Sequence, residues 1–211
     1  MDTSRHIARR LLEVGAVKLQ PRKPFTWASG LRSPIYCDNR VLLSFPSIRS
    51  EVVEALCAAA GAMDVQGVAG VATAGIPHGA LLADRLSLPF IYIRSSAKAH
   101  GRQNQIEGRL TTGDRYIVVE DLISTGGSSL KAIDALRAAG GRAAAALAIF
   151  TYQLPAAQQA FEQAAVPLHT LSDYTALVEV ARESGKITAD EAATLAEWRS
   201  DPRAWSKNFS A

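Results

Sequence analysis

Tyr116-Ile117-Val118-Val119-Glu120-Asp121-Leu122-Ile123-Ser124-Thr125-Gly126-Gly127-Ser128-Ser129 joins an apolar run to two adjacent carboxylates and then to a hydroxyl- and glycine-rich turn. A helical pattern follows over 130–139. Residues 116–119 read as a short, buried, β-branched strand of a parallel sheet. Open α/β sheets bind ligands beyond the carboxyl ends of their strands, where Glu120 and Asp121 fall. Adjacent carboxylates there can accept hydrogen bonds from vicinal hydroxyls, which a ribose offers at C2 and C3. Gly126 and Gly127 let the backbone turn tightly and approach a ligand. Ser128 or Ser129 is expected to cap the helix, whose first N–H groups favour a phosphate. The order of these parts suits a ribose 5-phosphate, with the acids on the sugar and the turn on the phosphate. A strand, an acidic turn and a capped helix without any ligand would explain each part alone, but not their succession. Other phosphate loops fit less well. The nucleotide-triphosphatase loop needs Lys after its last Gly, where this chain has Ser128, and no G-x-G-x-x-G opens a helix.

Outward from this segment, strand-like runs recur at 65–73, 89–94, 115–121, 142–150 and 168–172, with helix patterns at 79–86, 128–139 and 156–165 between them. That alternation predicts βαβ units and a parallel sheet with right-handed crossovers. Helices are also expected over 4–14 and 46–60, and near the C-terminus over 175–185 and 188–200, where Thr188 with Glu191 makes a capping-box pattern. Residues 20–39, punctuated by Pro and Gly, read as loop and short strand. Trp205 and Phe209 are expected to dock the tail onto the body, a binding role being the alternative. No internal repeat or linker divides the chain.

The chain of 211 residues is long enough for one domain with a full core. Its 48% hydrophobic and 20% charged content is ordinary for a globular protein. A net charge of +3 with scattered basic residues suits an anionic small substrate as well as it suits nucleic acid. Neither a nucleic-acid nor a membrane partner is expected: no apolar run nears spanning length, 143–150 being too short. Residues 1–10 are too polar for a secretory signal. Cys37 and Cys57 have no metal-ligand spacing and read as free thiols, so a cytoplasmic location is expected.

Two further segments carry chemistry. Residues 70–79, Gly-Val-Ala-Thr-Ala-Gly-Ile-Pro-His-Gly, put small residues and a hydroxyl at a second strand end, where backbone N–H groups can meet an anion. His78 reads equally as a ligand contact or as polar loop surface. Residues 94–109 leave a strand and run without apolar period, a length that in compact domains usually marks a functional loop. Arg94, Lys98, His100 and Arg102 make it cationic, and Gly101 and Gly108 are flex points; a solvated charged loop is the plainer reading.

The segment 116–129 resembles the phosphoribosyl pyrophosphate signature of the type I phosphoribosyltransferases. Phe25-Thr26-Trp27-Ala28-Ser29-Gly30-Leu31-Arg32-Ser33-Pro34-Ile35-Tyr36, and Arg94-Ser95-Ser96-Ala97-Lys98-Ala99-His100-Gly101 running on to Asn104-Gln105-Ile106-Glu107-Gly108, narrow the resemblance to the orotate phosphoribosyltransferase family. The match extends in order over about residues 5–175. It implies an α/β fold, a type I phosphoribosyltransferase-like parallel sheet flanked by helices. The whole of 1–211 would be one domain, with a small hood built from about residues 1–40 and part of the C-terminus. It implies transfer of the 5-phosphoribosyl group from phosphoribosyl pyrophosphate to orotate, giving orotidine 5′-phosphate and pyrophosphate in pyrimidine (UMP) biosynthesis. Lys98, Glu120 and Asp121 would be catalytic. The phosphoribosyl donor would meet Arg94, Lys98, His100, Glu120, Asp121, Leu122, Ile123, Ser124, Thr125, Gly126, Gly127 and Ser128. Orotate would meet Ser124 and Phe25, with Arg32 or Lys23 as cations for its carboxylate. Residues 70–79 would be the pyrophosphate-side loop, which in the family often carries a strained peptide. Mg2+ is the implied cofactor, with no protein side chain assigned as its ligand. A homodimer is implied, with residues 94–109 as a lid reaching the neighbouring subunit's site.

The chain departs from the family where many members carry cations: Ala28 precedes Ser29-Gly30, Ser95 follows Arg94, and Tyr152 stands where some have Arg. These changes leave the sugar-phosphate reading intact and weaken the base assignment. A phosphoribosyltransferase for a purine or another base, and a non-catalytic nucleotide-sensing RNA-binding regulator, remain as alternatives.

Overall fold

The computed structural model describes residues 2–27, 29–61, 63–96 and 105–208. A six-stranded sheet in the order β10-β9-β8-β5-β6-β7 forms its centre. The strands are β5 (Gly67–Val71), β6 (Phe90–Ile93), β7 (Ile106–Glu107), β8 (Arg115–Ile123), β9 (Arg142–Thr151) and β10 (Leu168–Asp173). All neighbours run parallel except β6 and β7, which pair Tyr92 with Glu107 and Ile93 with Ile106 in antiparallel fashion. The predicted parallel sheet is therefore present, with an antiparallel edge.

Helices cover both faces because the inner strands are apolar on both. Ile117 and Val119 of β8 belong to one core layer, with α1 (Thr3–Glu13), α2 (Pro46–Ala60), α3 (Gly75–Leu86) and α6 (Tyr174–Glu183). Tyr116 and Val118 point into the other layer, with α4 (Gly127–Ala138) and α5 (Pro155–Gln163). From β5 the chain crosses to β6 on one side, then returns to place β8 on the other. The order thus reverses between β5 and β8, and their carboxyl ends open a crevice at the switch point. No described helix is long and apolar enough to cross a membrane.

A smaller layer lies at the N-terminus. β1 (Val17–Leu19) pairs antiparallel with β4 (Ile35–Cys37), and β2 (Phe25–Thr26) pairs with β3 (Arg32–Ser33). A 3-10 helix, Asn39–Ser44, leads into α2. The C-terminal helices α7 (Ala189–Ser200) and α8 (Pro202–Lys207) pack back onto these strands, and the Arg32 N–H donates to Ser206 Oγ at 2.9 Å. Trp27 stacks on Tyr152 and meets Trp198 of α7 edge-on, with centroids 5.4 and 5.7 Å apart. The buried Trp205 bears out the docking of the tail; Phe209 lies outside the described residues. The expected capping box forms, with Glu191 N–H on Thr188 Oγ1 and Thr188 N–H on Glu191 Oε2.

Several expectations are corrected. β8 runs past the acids, extending the expected strand 115–121 to Ile123: Glu120 pairs with Ala148 and Ile123 with Thr151, so the carboxylates sit within the pleat near its end. α3 begins at Gly75, not Gly79, which carries His78 into a buried helix and removes it from any surface loop. Neither Ser128 nor Ser129 caps α4; Gly126, with φ of 80°, takes the N-cap position without a side-chain hydrogen bond. A Cβ at Gly126 would also lie 2.9 Å from Phe161, so both conformation and space call for glycine there.

Candidate functional site

β8 delivers the signature to the crevice. Glu120 is buried, and Ser129 Oγ of α4 donates to its Oε2 at 3.3 Å, which is where the expected cap residue is used instead. The Asp121 N–H donates to Glu120 Oε1 at 3.2 Å. Burial raises the pKa of both carboxyls, and the Asp121 charge pushes Glu120 further up. Two carboxylates so close in so little water cannot both ionise cheaply, and Glu120 is held above the usual carboxylate range. Leu122 and Ile123 turn their side chains into opposite cores and leave backbone groups to the site. Ser124 and Thr125 form the bend, and Gly127 and Ser128 open α4 with exposed backbone.

Two structural details hold this strand end in place. Gly75, the first residue of α3, lies so close to β8 that a Cβ would sit 2.3 Å from the Val119 carbonyl oxygen. Any side chain there would displace the strand just before Glu120. From the other direction Asn39, fully buried, donates through Nδ2 to the Asp121 carbonyl at 2.6 Å. Its Oδ1 accepts from Cys37 Sγ at 3.3 Å. Asn39 was not singled out from the sequence, because its partner lies 82 residues away. His78 packs below, fully buried, and burial pushes its pKa down to about 4, a backbone contact with Asn39 offsetting only part of the shift.

The second anion segment follows β5, and its Ala72–Thr73 peptide is cis. A cavity of about 330 Å³ joins it to the signature, lined by Ala72, Arg94, Ser95, Gly127, Ser128 and Lys131 among others. The structure therefore brings the start of α4, the residue after β5 and the residues after β6 to one space. Arg94 leaves β6 half-buried, with Nη1 3.5 Å from Glu107 Oε1. Its N–H donates to the Gln105 carbonyl at 2.8 Å, so the two ends of the 94–105 segment are tied together. Lys98, His100, Gly101 and Arg102 lie outside the described residues, as does Ala28. A larger cleft, about 610 Å³, opens between α5 and the edge strand β10 but is lined by none of the signature residues.

Around the base side, Phe25 is half-buried against Tyr36, with centroids 5.6 Å apart, and Tyr36 stays 40% exposed. Arg32 Nη1 donates to Thr26 Oγ1 at 2.9 Å on the exposed side of its hairpin. Lys23 lines a separate cleft with Lys186 and Glu191. Neither is thereby brought to the acidic pair. Tyr152 is buried within the aromatic cluster, and burial raises its pKa well above the usual tyrosine value.

Residues 64–161 match the model of the phosphoribosyl transferase domain, a span that holds β5, β8 and the crevice between them. The orotate phosphoribosyltransferase of Cutibacterium acnes is 55% identical over 97% of this chain and 96% of its own. That of Bacteroides fragilis is 52% identical over 97% of each. Among solved structures, the orotate phosphoribosyltransferase of Aeropyrum pernix superposes with a TM-score of 0.75 at 33% identity, over 86% of this chain and 99% of that one. Likeness of this extent carries through the accessory strands and the C-terminal helices as well as the sheet, and on it the chain belongs to the orotate phosphoribosyltransferase family.

Proposed function

We propose that this protein transfers the 5-phosphoribosyl group of phosphoribosyl pyrophosphate to orotate, releasing pyrophosphate and orotidine 5′-phosphate. The observation that carries this reading is the convergence at the carboxyl ends of the sheet: the acidic pair lies near the end of β8, and the uncapped start of α4 and Ala72 after β5 line one cavity. The bond from ribose C1 to the pyrophosphate oxygen breaks as the bond from C1 to orotate N1 forms, and the proton on N1 is released. Positive charge grows on the sugar ring and negative charge on the leaving group.

Each part then has a task. Glu120 and Asp121 take the ribose hydroxyls and face the electron-poor ring. The backbone of 122–128 and the hydroxyls of Ser124, Thr125 and Ser128 take the 5-phosphate at the start of α4. Arg94, with Lys98 and His100 as the resemblance implies, meets the charge of the departing pyrophosphate. Phe25 and Ser124 contact the base. The accessory strands and α7–α8 serve as a hood that limits water, which would otherwise consume the activated sugar. The carboxylate oxygens of Glu120 and Asp121 are hard donors of the kind Mg2+ takes. Bound there, the ion would supply neutralisation of the negative charge that develops on the leaving group. The active unit is a homodimer whose 94–109 segment completes the partner's site.

A substrate screen tests the reading. With phosphoribosyl pyrophosphate and Mg2+, orotate should be consumed and uracil, hypoxanthine and adenine left. Omitting either the donor or the metal should stop the loss of orotate absorbance. Turnover of a purine in preference to orotate would overturn the base assignment.

A further inference from the structure

Orotate carries a carboxylate that a selective site must meet with a cation. Of the two cations expected from the sequence, Arg32 is bonded to Thr26 across the hairpin and Lys23 lines a cleft with Lys186 and Glu191. Arg94 leans on Glu107.

Arg40 is differently placed. It follows Asn39, whose side chain is bonded directly to the backbone of Asp121. Its guanidinium is clamped by Asp38, with Nε on Oδ1 at 2.6 Å and Nη2 on Oδ2 at 2.8 Å. The opposite edge of the fork, Nη1, makes no hydrogen bond to the described residues, and the side chain is 61% exposed. Arg40 lies in the first turn of the 3-10 helix that follows β4, the strand that carries Tyr36. Tyr36 in turn is the exposed partner of Phe25. An oriented guanidinium is therefore held on the short segment that joins an accessible aromatic residue, Tyr36, to the backbone of Asp121.

We propose that Arg40 binds the carboxylate of orotate through the free edge of its guanidinium, with the Phe25–Tyr36 pair as the apolar wall of the base. This rests on orotate being the base transferred. A planar fork matches a carboxylate with two parallel hydrogen bonds, and a fork already held by Asp38 loses little freedom on meeting it. Because Asp38 offsets part of the charge, selectivity comes from geometry more than from net attraction. Lysine, a point charge on a flexible stem, cannot reproduce it.

The test is the split between the two substrates. Arg40→Ala should raise KM for orotate by roughly 10- to 100-fold, the range for a charged hydrogen bond. KM for phosphoribosyl pyrophosphate should stay within about threefold, and Arg40→Lys should recover only part of the loss. If Arg40→Ala turns over too slowly for KM, calorimetric binding of each substrate is judged by the same criteria. Circular dichroism checks that both variants fold; Arg40→Gln, which keeps the length of the side chain, replaces any that does not. An orotate KM within threefold of the parent overturns the proposal, as does an equal rise for both substrates, which would tie Arg40 to Asp121 alone. So does a loss of orotate affinity in Arg32→Ala with none in Arg40→Ala. If the parent protein itself does not use orotate, the base assignment fails, and the role of Arg40 falls with it.

Discussion

Glu120 is a carboxyl that folding drives toward its neutral form. Burial and the neighbouring Asp121 raise its pKa above the ordinary value of 4.5. The folded chain therefore binds more protons than the unfolded chain from that pH upward, so its stability falls as pH rises through the raised pKa. Glu120→Gln keeps the shape and removes the titration. The variant should gain in melting temperature relative to the parent as pH is raised from the ordinary glutamate range; parallel melting curves across pH would contradict the assignment. Function follows from the same imbalance. A ribose hydroxyl donor and a metal ion both favour the ionised pair, so donor binding with Mg2+ should release protons near neutral pH. Calorimetry in buffers of different ionisation enthalpy reads this directly, and a buffer-independent heat would show that the pair is already ionised. His78 titrates with the opposite sign: held down to about 4, it stays neutral and adds stability that is lost as pH falls from its ordinary value toward 4.

At the scale of elements, the crevice depends on pieces brought from both ends of the chain. Trp198 of α7 is fully buried and touches Trp27, Tyr152 and Tyr174, so it links the N-terminal hairpin to the end of β9 and the start of α6. Trp198→Ala should cost about 3–5 kcal/mol in denaturant unfolding, the usual loss for a large buried aromatic. A change below about 1 kcal/mol would mean that the hairpin is held by other contacts. This linkage was not legible in the sequence, although α7 itself was, because helical period and the Thr188–Glu191 box are local and aromatic partners are not. The same division runs through the site. The parallel strands, α2 and the signature declare themselves by period and by turn chemistry within a few residues. The last two residues of β8 were hidden because Glu120 and Asp121 look like a strand's end, whereas pairing of Leu122 to Phe150 and Ile123 to Thr151 continues the ladder past them. The start of α3 was hidden by Gly75 and Pro77, helix-poor residues, of which Gly75 is required by its close approach to Val119. α8 gave no apolar period over its six residues. Asn39 and Arg40 stood outside every motif, since their importance comes from chain crossing and not from spacing.

At the scale of the molecule, one sheet edge-to-edge reversal sets β5 and β8 side by side and so makes a single crevice out of segments some 50 residues apart. The segment after Arg94 is tied at its base by Gln105 and spans more residues than its own strand end requires. If it completes a partner's site, Lys98→Ala and Asp121→Asn should each be inactive, yet regain activity when mixed under conditions that exchange subunits. Roughly a quarter of all sites should then be complete. Hybrids confirmed by mass spectrometry that remain inactive would place Lys98 in its own subunit's site. We propose the strand-end acids of β8 as the seat of the reaction. Asp121→Asn in the intact enzyme, assayed for orotidine 5′-phosphate formation, is its most direct test. The fold should persist by circular dichroism and turnover should fall by about 10²–10³-fold, the loss typical of one preorganised electrostatic contact. Near-normal turnover in a folded Asp121→Asn protein would contradict it.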